Sequence, residues 1–208
     1  TILAIADKLE TLVGIWGVGL APTGDKDPYA LRRHALGICR LLLEKNLSLN
    51  LPELIELART QFSQKEVQEK AQVADIYAFI IDRLRAYLRD QSVAGTPFTS
   101  AEIDAVLSQS PAQINDLIAR LTALREFNAL PEAAQLAAAN KRISNILKKT
   151  DVAPGSINPK LLSDGAEQGL YSAISQVRPE VDAAFAAADF TGTLVLLAKL
   201  RNQVDAFF

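Results

Sequence analysis

Apolar residues recur at helical spacing along the chain, and this spacing constrains the fold more than any other feature. One set stands at i, i+4, i+7 and i+11: Leu31, Ala35, Ile38 and Leu42. A second set of similar spacing lies near the end of the sequence: Leu197, Leu200, Val204 and Phe207. A helix brings each set onto one face, where it can pack against a core. Strand-like alternation is scarce, so the sequence predicts an all-α fold made of helical bundles.

Helix-start signals divide this pattern into segments. Capping boxes of the form Ser/Thr-x-x-Glu/Gln stand at 63–66, 99–102 and 110–113, and each supplies side chains for the orphan amides of a first turn. Prolines at 111, 131, 159 and 179 fall where first turns are expected. Together these signals predict helices over 1–17, 28–45, 50–62, 64–90, 99–109, 111–128, 131–149, 159–177, 179–189 and 192–208.

Composition excludes several classes of protein. No apolar run approaches the roughly 18 residues that cross a bilayer, so no membrane partner is expected. Cys39 is the single cysteine, which excludes an internal disulfide and a cysteine-based metal cage and predicts a small buried hydrophobe. The net charge of −2 requires any nucleic acid to meet a local basic face. The absence of methionine and the apolar pattern at the end predict a piece of a longer polypeptide.

Candidate catalytic residues are few. Asp7, in "ADKLETL", resembles the terminal metal-ligand aspartate of HD phosphohydrolases, but the single histidine, His34, lies downstream and one carboxylate cannot hold a catalytic metal. His34 also lacks a cysteine or second histidine at a useful spacing and is predicted to be a polar surface residue. Gly14, Gly17 and Gly19 are predicted to end the first helix and let the chain turn. We therefore expect no catalytic residue, no metal ligand and no cofactor on this chain.

The strongest chemical signal is "ANKRISNILKK", residues 139–149, which has four cations, two asparagines and no acid. On a helix, Lys141, Asn145 and Lys148 share a stripe, with Arg142 and Lys149 beside it. The other side is predicted to be apolar, formed by Ile143, Ile146 and Leu147. Cations can neutralise phosphates and asparagine can pair with base edges, so this face is a candidate RNA-binding surface. The alternative is an ordinary solvated charged face.

The stretch "PTGDKDPYALRR", residues 22–33, is predicted to hold a helix start in one place. Pro22 and Pro28 stiffen the turn, and Asp27 can cap the amides of a helix beginning at Pro28. Arg32 and Arg33 project from the first turns of that helix. Their planar donor forks suit either tRNA phosphates or salt bridges to a neighbouring domain, and both interpretations stay open.

The segment "ADKLETLVGIWGVGLAPTGDKDPYALRRHALGICRLLLEKNL" resembles the beta subunit family of bacterial heterotetrameric glycyl-tRNA synthetases, and "AAANKRISNILKK" and "DAFF" match later family segments in order. Departures are small: Glu10 replaces the usual aspartate, Tyr29 a phenylalanine, and His34 a small residue. The resemblance implies a C-terminal portion of such a chain. It further implies that 1–20 is the tail of an HD-like domain, 21–110 a linking helical body, and 111–208 a truncated, DALR-type anticodon-binding domain.

The same resemblance implies a cytoplasmic ligase in which the alpha subunit activates glycine with ATP and magnesium, while beta binds glycine tRNA within an alpha2beta2 assembly. The expected tRNA contacts on this chain are Lys141, Arg142, Asn145, Lys148, Lys149, Arg32 and Arg33. The alternative function is a structural helical adaptor that joins domains or subunits without touching RNA. These two functions differ in whether the 141–149 cations are exposed together or held in salt bridges.

Overall fold

The computed structural model describes residues 1–24, 26–149, 155, 157–162 and 165–208, and these residues are mostly helical. The helices are α1 Ile2–Gly17, α2 Leu31–Glu44, α3 Leu51–Thr60, α4 Lys65–Lys70, α5 Val73–Arg89, α6 Ser100–Leu107, α7 Leu117–Asn128, α8 Ala133–Leu147, α9 Gly165–Ala186, α10 Phe190–Ala198 and α11 Arg201–Phe207. A 3-10 turn covers Pro159–Leu161. The predicted helical fold is confirmed at this level.

A small hairpin interrupts the helices within 91–98, a stretch with no predicted element. Its strands, β1 Ser92–Val93 and β2 Thr96–Pro97, pair antiparallel. Ala94 and Gly95 have φ values of +51° and +77°, which matches the two-residue turns that join twisted strands.

The chain divides into two compact units, Thr1–Leu121 and Thr122–Phe208. The domain limits implied by the resemblance, 1–20, 21–110 and 111–208, concern the organisation of a whole enzyme and stay predictions.

Large aliphatic side chains form the core of the first unit. The predicted stripe of α2 is fully buried, from Leu31 to Leu42, and α2 packs against α1 and α5. Other large side chains with almost no exposure are Leu12, Leu51, Ile55, Ile76, Ile80, Leu84, Leu88, Ile103, Ile114, Leu117 and Leu121. Trp16 packs edge-to-face on Phe79, with ring centroids 5.2 Å apart. Burial of each such side chain contributes about 1.5–3 kcal/mol relative to leaving it in water.

The second unit is built differently. α9 packs against α10 and α11, and α11 packs against α8. The C-terminal apolar set meets this core only in part, because Leu200 and Val204 are half-buried whereas Leu197 and Phe207 are exposed. That core is shallow, because Leu197 keeps 37% and Phe207 keeps 43% of its surface exposed. The buried side chains described in this unit are Ala123, Ala133, Phe190 and Thr193.

One of the three predicted capping boxes is confirmed. The Thr99 hydroxyl accepts from the Glu102 amide at 3.2 Å, and the Glu102 carboxylate accepts from the Thr99 amide at 2.7 Å. The Ser63 box is wrong, because Gln64 precedes α4 and makes no side-chain cap. The Ser110 box is wrong too, since Ser110 has φ +48° and an N-cap residue takes extended backbone angles.

Tertiary hydrogen bonds explain why no helix begins at Pro111. The Pro111 carbonyl accepts from the Tyr77 hydroxyl at 3.0 Å, and the Ala112 carbonyl accepts from the Leu51 amide at 2.8 Å. These bonds tie the segment to α5 and α3, and α7 starts only at Leu117.

Three predicted helix limits were also wrong. The 64–90 helix is broken between α4 and α5, around the buried Ala71. The 192–208 helix is divided into α10 and α11. Pro179 lies inside α9 and does not start a helix; it removes one amide donor from the ladder without ending it.

Candidate nucleic-acid interface

The predicted basic face lies on the last turns of α8 and on the two residues that follow this helix, and it is exposed. We call Lys141, Lys148 and Lys149 the α8 lysines. Lys141, Arg142, Asn145, Lys148 and Lys149 are all in the exposed class. A groove of about 310 Å³ runs along the helix and is lined by Ala138, Lys141, Arg142, Asn145, Ile146 and Lys149. The structure thus brings four of the five predicted residues to one concavity and leaves Lys148 outside its lining.

Acids do not pair with the lysines of this face in the part of the chain that the structure describes. Within the described ranges, Lys141, Lys148 and Lys149 take part in no ion pair with a carboxylate. Their charges therefore project toward solvent, as an anion-binding face requires.

The apolar side expected opposite the cations is not buried. Ile143 is 37%, Ile146 51% and Leu147 60% exposed. Ile146 lies among the cations, because it is four residues after Arg142 on the same helix face and lines the same groove as Arg142 and Lys149. The prediction that Ile146 lies opposite the cations was wrong for this reason.

Arg142 has an aromatic neighbour. Its guanidinium carbon lies 4.9 Å from the centroid of the Phe208 ring, within the range of a cation–π interaction. The same arginine borders a second hollow of about 200 Å³ that also contains Asp205. Arg142 is therefore held toward the C-terminal end of the described chain.

The turn before α2 is organised by Asp27. Its carboxylate accepts from the Leu31 amide at 2.8 Å and from the Arg32 amide at 3.0 Å, so its predicted capping role is confirmed. The helix begins at Leu31 and not at Pro28, because Ala30 adopts φ +55° and delays the first helical turn.

The arginine pair diverges in this turn. The Arg32 guanidinium donates to the Gly24 carbonyl and so braces the loop. Arg33 is exposed and lines a groove with Lys8, His34 and Arg40. Sequence reasoning missed that groove, because it combines α1 with α2; the only signal in the sequence was the i, i+7 spacing of Arg33 and Arg40.

The remaining candidate residues are Asp7, His34 and the glycines near the end of α1. Asp7 is exposed on α1, and His34 is half-buried on α2. The described residues contain no group of three or more side chains placed to hold a metal ion. Gly19, with φ +83°, makes the turn after α1 as predicted. Gly17 serves close packing instead, since a β-carbon there would lie 2.4 Å from Cγ1 of Val67.

Cys39 is fully buried, which confirms its predicted packing role. Its thiol donates to the Ile80 carbonyl at 3.7 Å. Burial raises the pKa of the Cys39 thiol to about 12, so the thiolate that reacts with electrophiles is scarce near neutral pH.

An apolar groove of about 780 Å³ lies between α1, α3 and the loop that joins α2 to α3. Ile2 and Leu57, on its walls, are 86% and 60% exposed. Sequence reasoning missed this groove, although the apolar start "TILAIA" was its signal. No helix in the described part of the chain is long and apolar enough to cross a membrane.

Comparison with known proteins places this helical architecture in a family. The family model described as glycyl-tRNA synthetase beta subunit matches residues 1–108, and the chain belongs to that family. It is 53% identical over 208 residues to the glycine–tRNA ligase beta subunit of Ralstonia nicotianae, and 51% and 50% identical to those of Leptothrix cholodnii and Paracidovorax citrulli. Each alignment covers the whole chain but only 28–29% of the relative.

Proposed function

We propose that this chain is a tRNA-binding part of the beta subunit of a glycine–tRNA ligase. The observation that supports it is the exposure of Lys141 on α8 and of Lys148 and Lys149 directly after it, without an acid to neutralise them among the described residues. Salt bridges at these positions would have favoured the adaptor. The chain belongs to the glycyl-tRNA synthetase beta subunit family. An enzyme that acts on tRNA would use such a face to bind its RNA substrate.

The mechanism is positioning. Lys141, Lys148 and Lys149 contact phosphates of the anticodon arm and contribute a sequence-independent, salt-sensitive part of the affinity. Asn145 lies between them and pairs with the edges of unstacked loop bases. Held in this way, the tRNA presents its acceptor end to the alpha subunit, where ATP, magnesium and glycine bind. The binding energy of the beta subunit thereby orients the substrate.

A structural adaptor role is the second candidate, and the apolar groove of the first unit favours it. Exposed apolar surface of this kind marks sites where other protein surfaces pack. An adaptor of this kind would join domains or subunits through the first unit without touching RNA, so the two candidates differ in whether tRNA binding depends on this chain.

The test is titration of glycine tRNA with the assembled ligase at several salt concentrations. Lys141→Ala and Lys148→Ala should each weaken binding to different tRNAs equally and reduce the salt slope by roughly one unit. Asn145→Ala should change the preference between tRNAs more than the overall affinity. Lys199→Ala is the matched control, because Lys199 is an exposed lysine of the same unit that lies outside the α8 groove. If the α8 lysine variants match this control, the face is only solvated.

A second measurement concerns catalysis. We expect the isolated 208-residue chain to show no ATP–pyrophosphate exchange without an alpha subunit. Exchange by the purified chain alone would contradict the assignment of activation chemistry to the partner subunit.

A further inference from the structure

A second cationic concavity lies in the first unit, between α1 and α2. Its volume is about 220 Å³, and its lining is Lys8, Arg33, His34, Leu36, Gly37 and Arg40. We call it the α1–α2 groove. Among the described residues its lining contains no carboxylate, and its polar groups are one ammonium, two guanidinium groups and an imidazole.

The helical period of α2 sets this arrangement. Arg33, Gly37 and Arg40 follow one another at intervals of four and three residues, so they form one stripe of the helix. Arg32 is on a neighbouring position and donates to the Gly24 carbonyl. Arg33 therefore lines the groove, whereas Arg32 binds the loop before α2.

Gly37 lets the side chain of Lys8 lie against α2. A β-carbon at residue 37 would meet Cε of Lys8 at 2.7 Å and Cδ at 3.0 Å, with Nζ 4.0 Å away. The absence of that β-carbon provides the space that the lysine stem occupies. The ammonium is thus kept beside the stripe, close to the level of Arg33 and Arg40.

The charges of the groove are only partly balanced. Arg40 pairs with Glu44 at 2.7 Å, and both side chains are largely exposed. Lys8 and Arg33 make no ion pair with any residue that the structure describes. On their own helices, the residues three and four positions away from each include no acid. Like charges that converge in this way repel, and a bound anion relieves the repulsion.

His34 adds an independent observation. Its Nδ1 atom is enclosed and has no hydrogen-bond partner in the described ranges. Enclosed polar atoms of native proteins are generally hydrogen-bonded, so one without a partner at a groove wall points to a missing ligand or water.

We propose that the α1–α2 groove binds a backbone phosphate of the RNA, at a site separate from α8. This inference rests on the proposed tRNA-binding function. The chemistry favours a phosphate over a base, because the lining has no aromatic ring for stacking other than the His34 imidazole and no amide for base edges. It favours RNA over a protein partner, because lysine is depleted at protein interfaces, whereas a lysine and arginines that no acid fully balances are suited to neutralise phosphates. Arginine forks and a lysine ammonium are the usual phosphate ligands.

The experiment measures glycine tRNA binding by the assembled ligase as a function of salt. Lys8→Gln and Arg33→Gln should each weaken binding several-fold and lower the salt slope by about 0.7–0.9 for each phosphate that is no longer neutralised. The matched controls are Lys70→Gln and Arg89→Gln, exposed cations of the same unit outside the groove. Arg33→Lys keeps the charge and should keep most of the slope.

A conformational control uses the glycine. Gly37→Ala keeps every charge but displaces the stem of Lys8, so it should weaken tRNA binding while the helical circular dichroism and the melting temperature do not fall. If Gly37→Ala binds tRNA as tightly as the unsubstituted protein, the proposal that Gly37 positions Lys8 is wrong.

The outcomes separate this inference from the proposed function. If Lys8→Gln and Arg33→Gln bind like their controls while the α8 variants have a smaller slope, the groove proposal fails and the α8 face stands. If only the groove variants have a smaller slope, the groove proposal stands and the α8 face fails. A change in the sedimentation of the assembly, with tRNA binding unchanged, would assign the groove to a protein contact and overturn the proposal.

Discussion

The two compact units differ in how they bury apolar residues. In the first unit, leucines and isoleucines from α1, α2, α3, α5 and α6 are enclosed together. In the second unit, the buried side chains described are mostly small, and Ile174, Phe185 and Val195 each keep more than two fifths of their surface exposed. Stabilisation scales with the apolar area removed from water, so the first unit is expected to open last. The unit that carries the α8 lysines is therefore the one with less packing to constrain it.

The largest expected effect compares two leucines. Leu42→Ala empties a fully buried position of the first unit, whereas Leu147 is 60% exposed in the second. The first change should lower the free energy of unfolding by about 2–5 kcal/mol and Leu147→Ala by no more than about 0.5 kcal/mol. Urea denaturation should be followed by the fluorescence of Trp16, which is the only tryptophan and lies in the first unit, and by circular dichroism. Equal losses of stability for the two variants would show that the two units do not differ in how tightly they bury these leucines.

Two glycines give effects of opposite sign. A β-carbon at Gly17 meets Cγ1 of Val67 at 2.4 Å and its backbone at 2.9 Å, so Gly17→Ala should destabilise the first unit by about 1–3 kcal/mol. At Gly169, inside α9, nothing lies within 4 Å. There the helix propensity of alanine should raise stability by up to about 1 kcal/mol. Thermal melts of both variants check the signs, and a stabilising Gly17→Ala would show that α1 and α4 are less tightly packed than described.

Helix caps should not distinguish the units. Thr99 caps α6 through its hydroxyl, and the Asp189 carboxylate accepts from the Gly192 amide at 2.8 Å to cap α10. Both bonds are exposed and local, so Thr99→Ala and Asp189→Ala should each cost about 1 kcal/mol. Hydrogen exchange of the first-turn amides reports each cap separately. A much larger loss of stability for Thr99→Ala would mean that the Thr99 side chain also contributes to core packing.

The smallest effects concern helix ion pairs. Arg120 makes two hydrogen bonds to the Asp116 carboxylate, at 2.8 and 2.9 Å, whereas Arg178 and Asp182 are 3.6 Å apart and mostly exposed. Asp116→Asn should cost roughly 0.5 kcal/mol, and Asp182→Asn should have no measurable effect. Urea titration at low and high salt checks both predictions. Salt screens the attraction between charges, so high salt should reduce the loss of stability for Asp116→Asn and leave Asp182→Asn without effect.

Sequence patterns predicted a helix well where one apolar face of that helix packs against the core. The stripe of α2 from Leu31 to Leu42 is buried as its spacing indicates. The break around Ala71 could not be predicted, because alanine and glutamine are good helix formers locally. It is imposed by packing: Val67 of α4 contacts Gly17 of α1 closely, so the chain must turn before α5.

The same limit applies to the candidate sites. Two of the cations lie on α8 and the other two directly follow it, so the sequence predicted that they would be neighbours. The helical period from Arg142 also indicates that Ile146 lies on their side. The α1–α2 groove depends on Lys8 meeting Gly37 across two helices. No local pattern encodes that contact, since it follows from how α1 packs on α2.

The burial of Cys39 has a practical consequence for labelling. It is the only cysteine in the sequence, and its enclosed thiol, with a pKa raised to about 12, reacts poorly with maleimides at neutral pH. A probe can therefore be directed to a chosen position without first removing the native thiol. Asn145→Cys and Lys8→Cys would each place one reactive group at a proposed RNA contact, and the distance from each label to a fluorophore on the tRNA could then be measured on an otherwise unaltered chain.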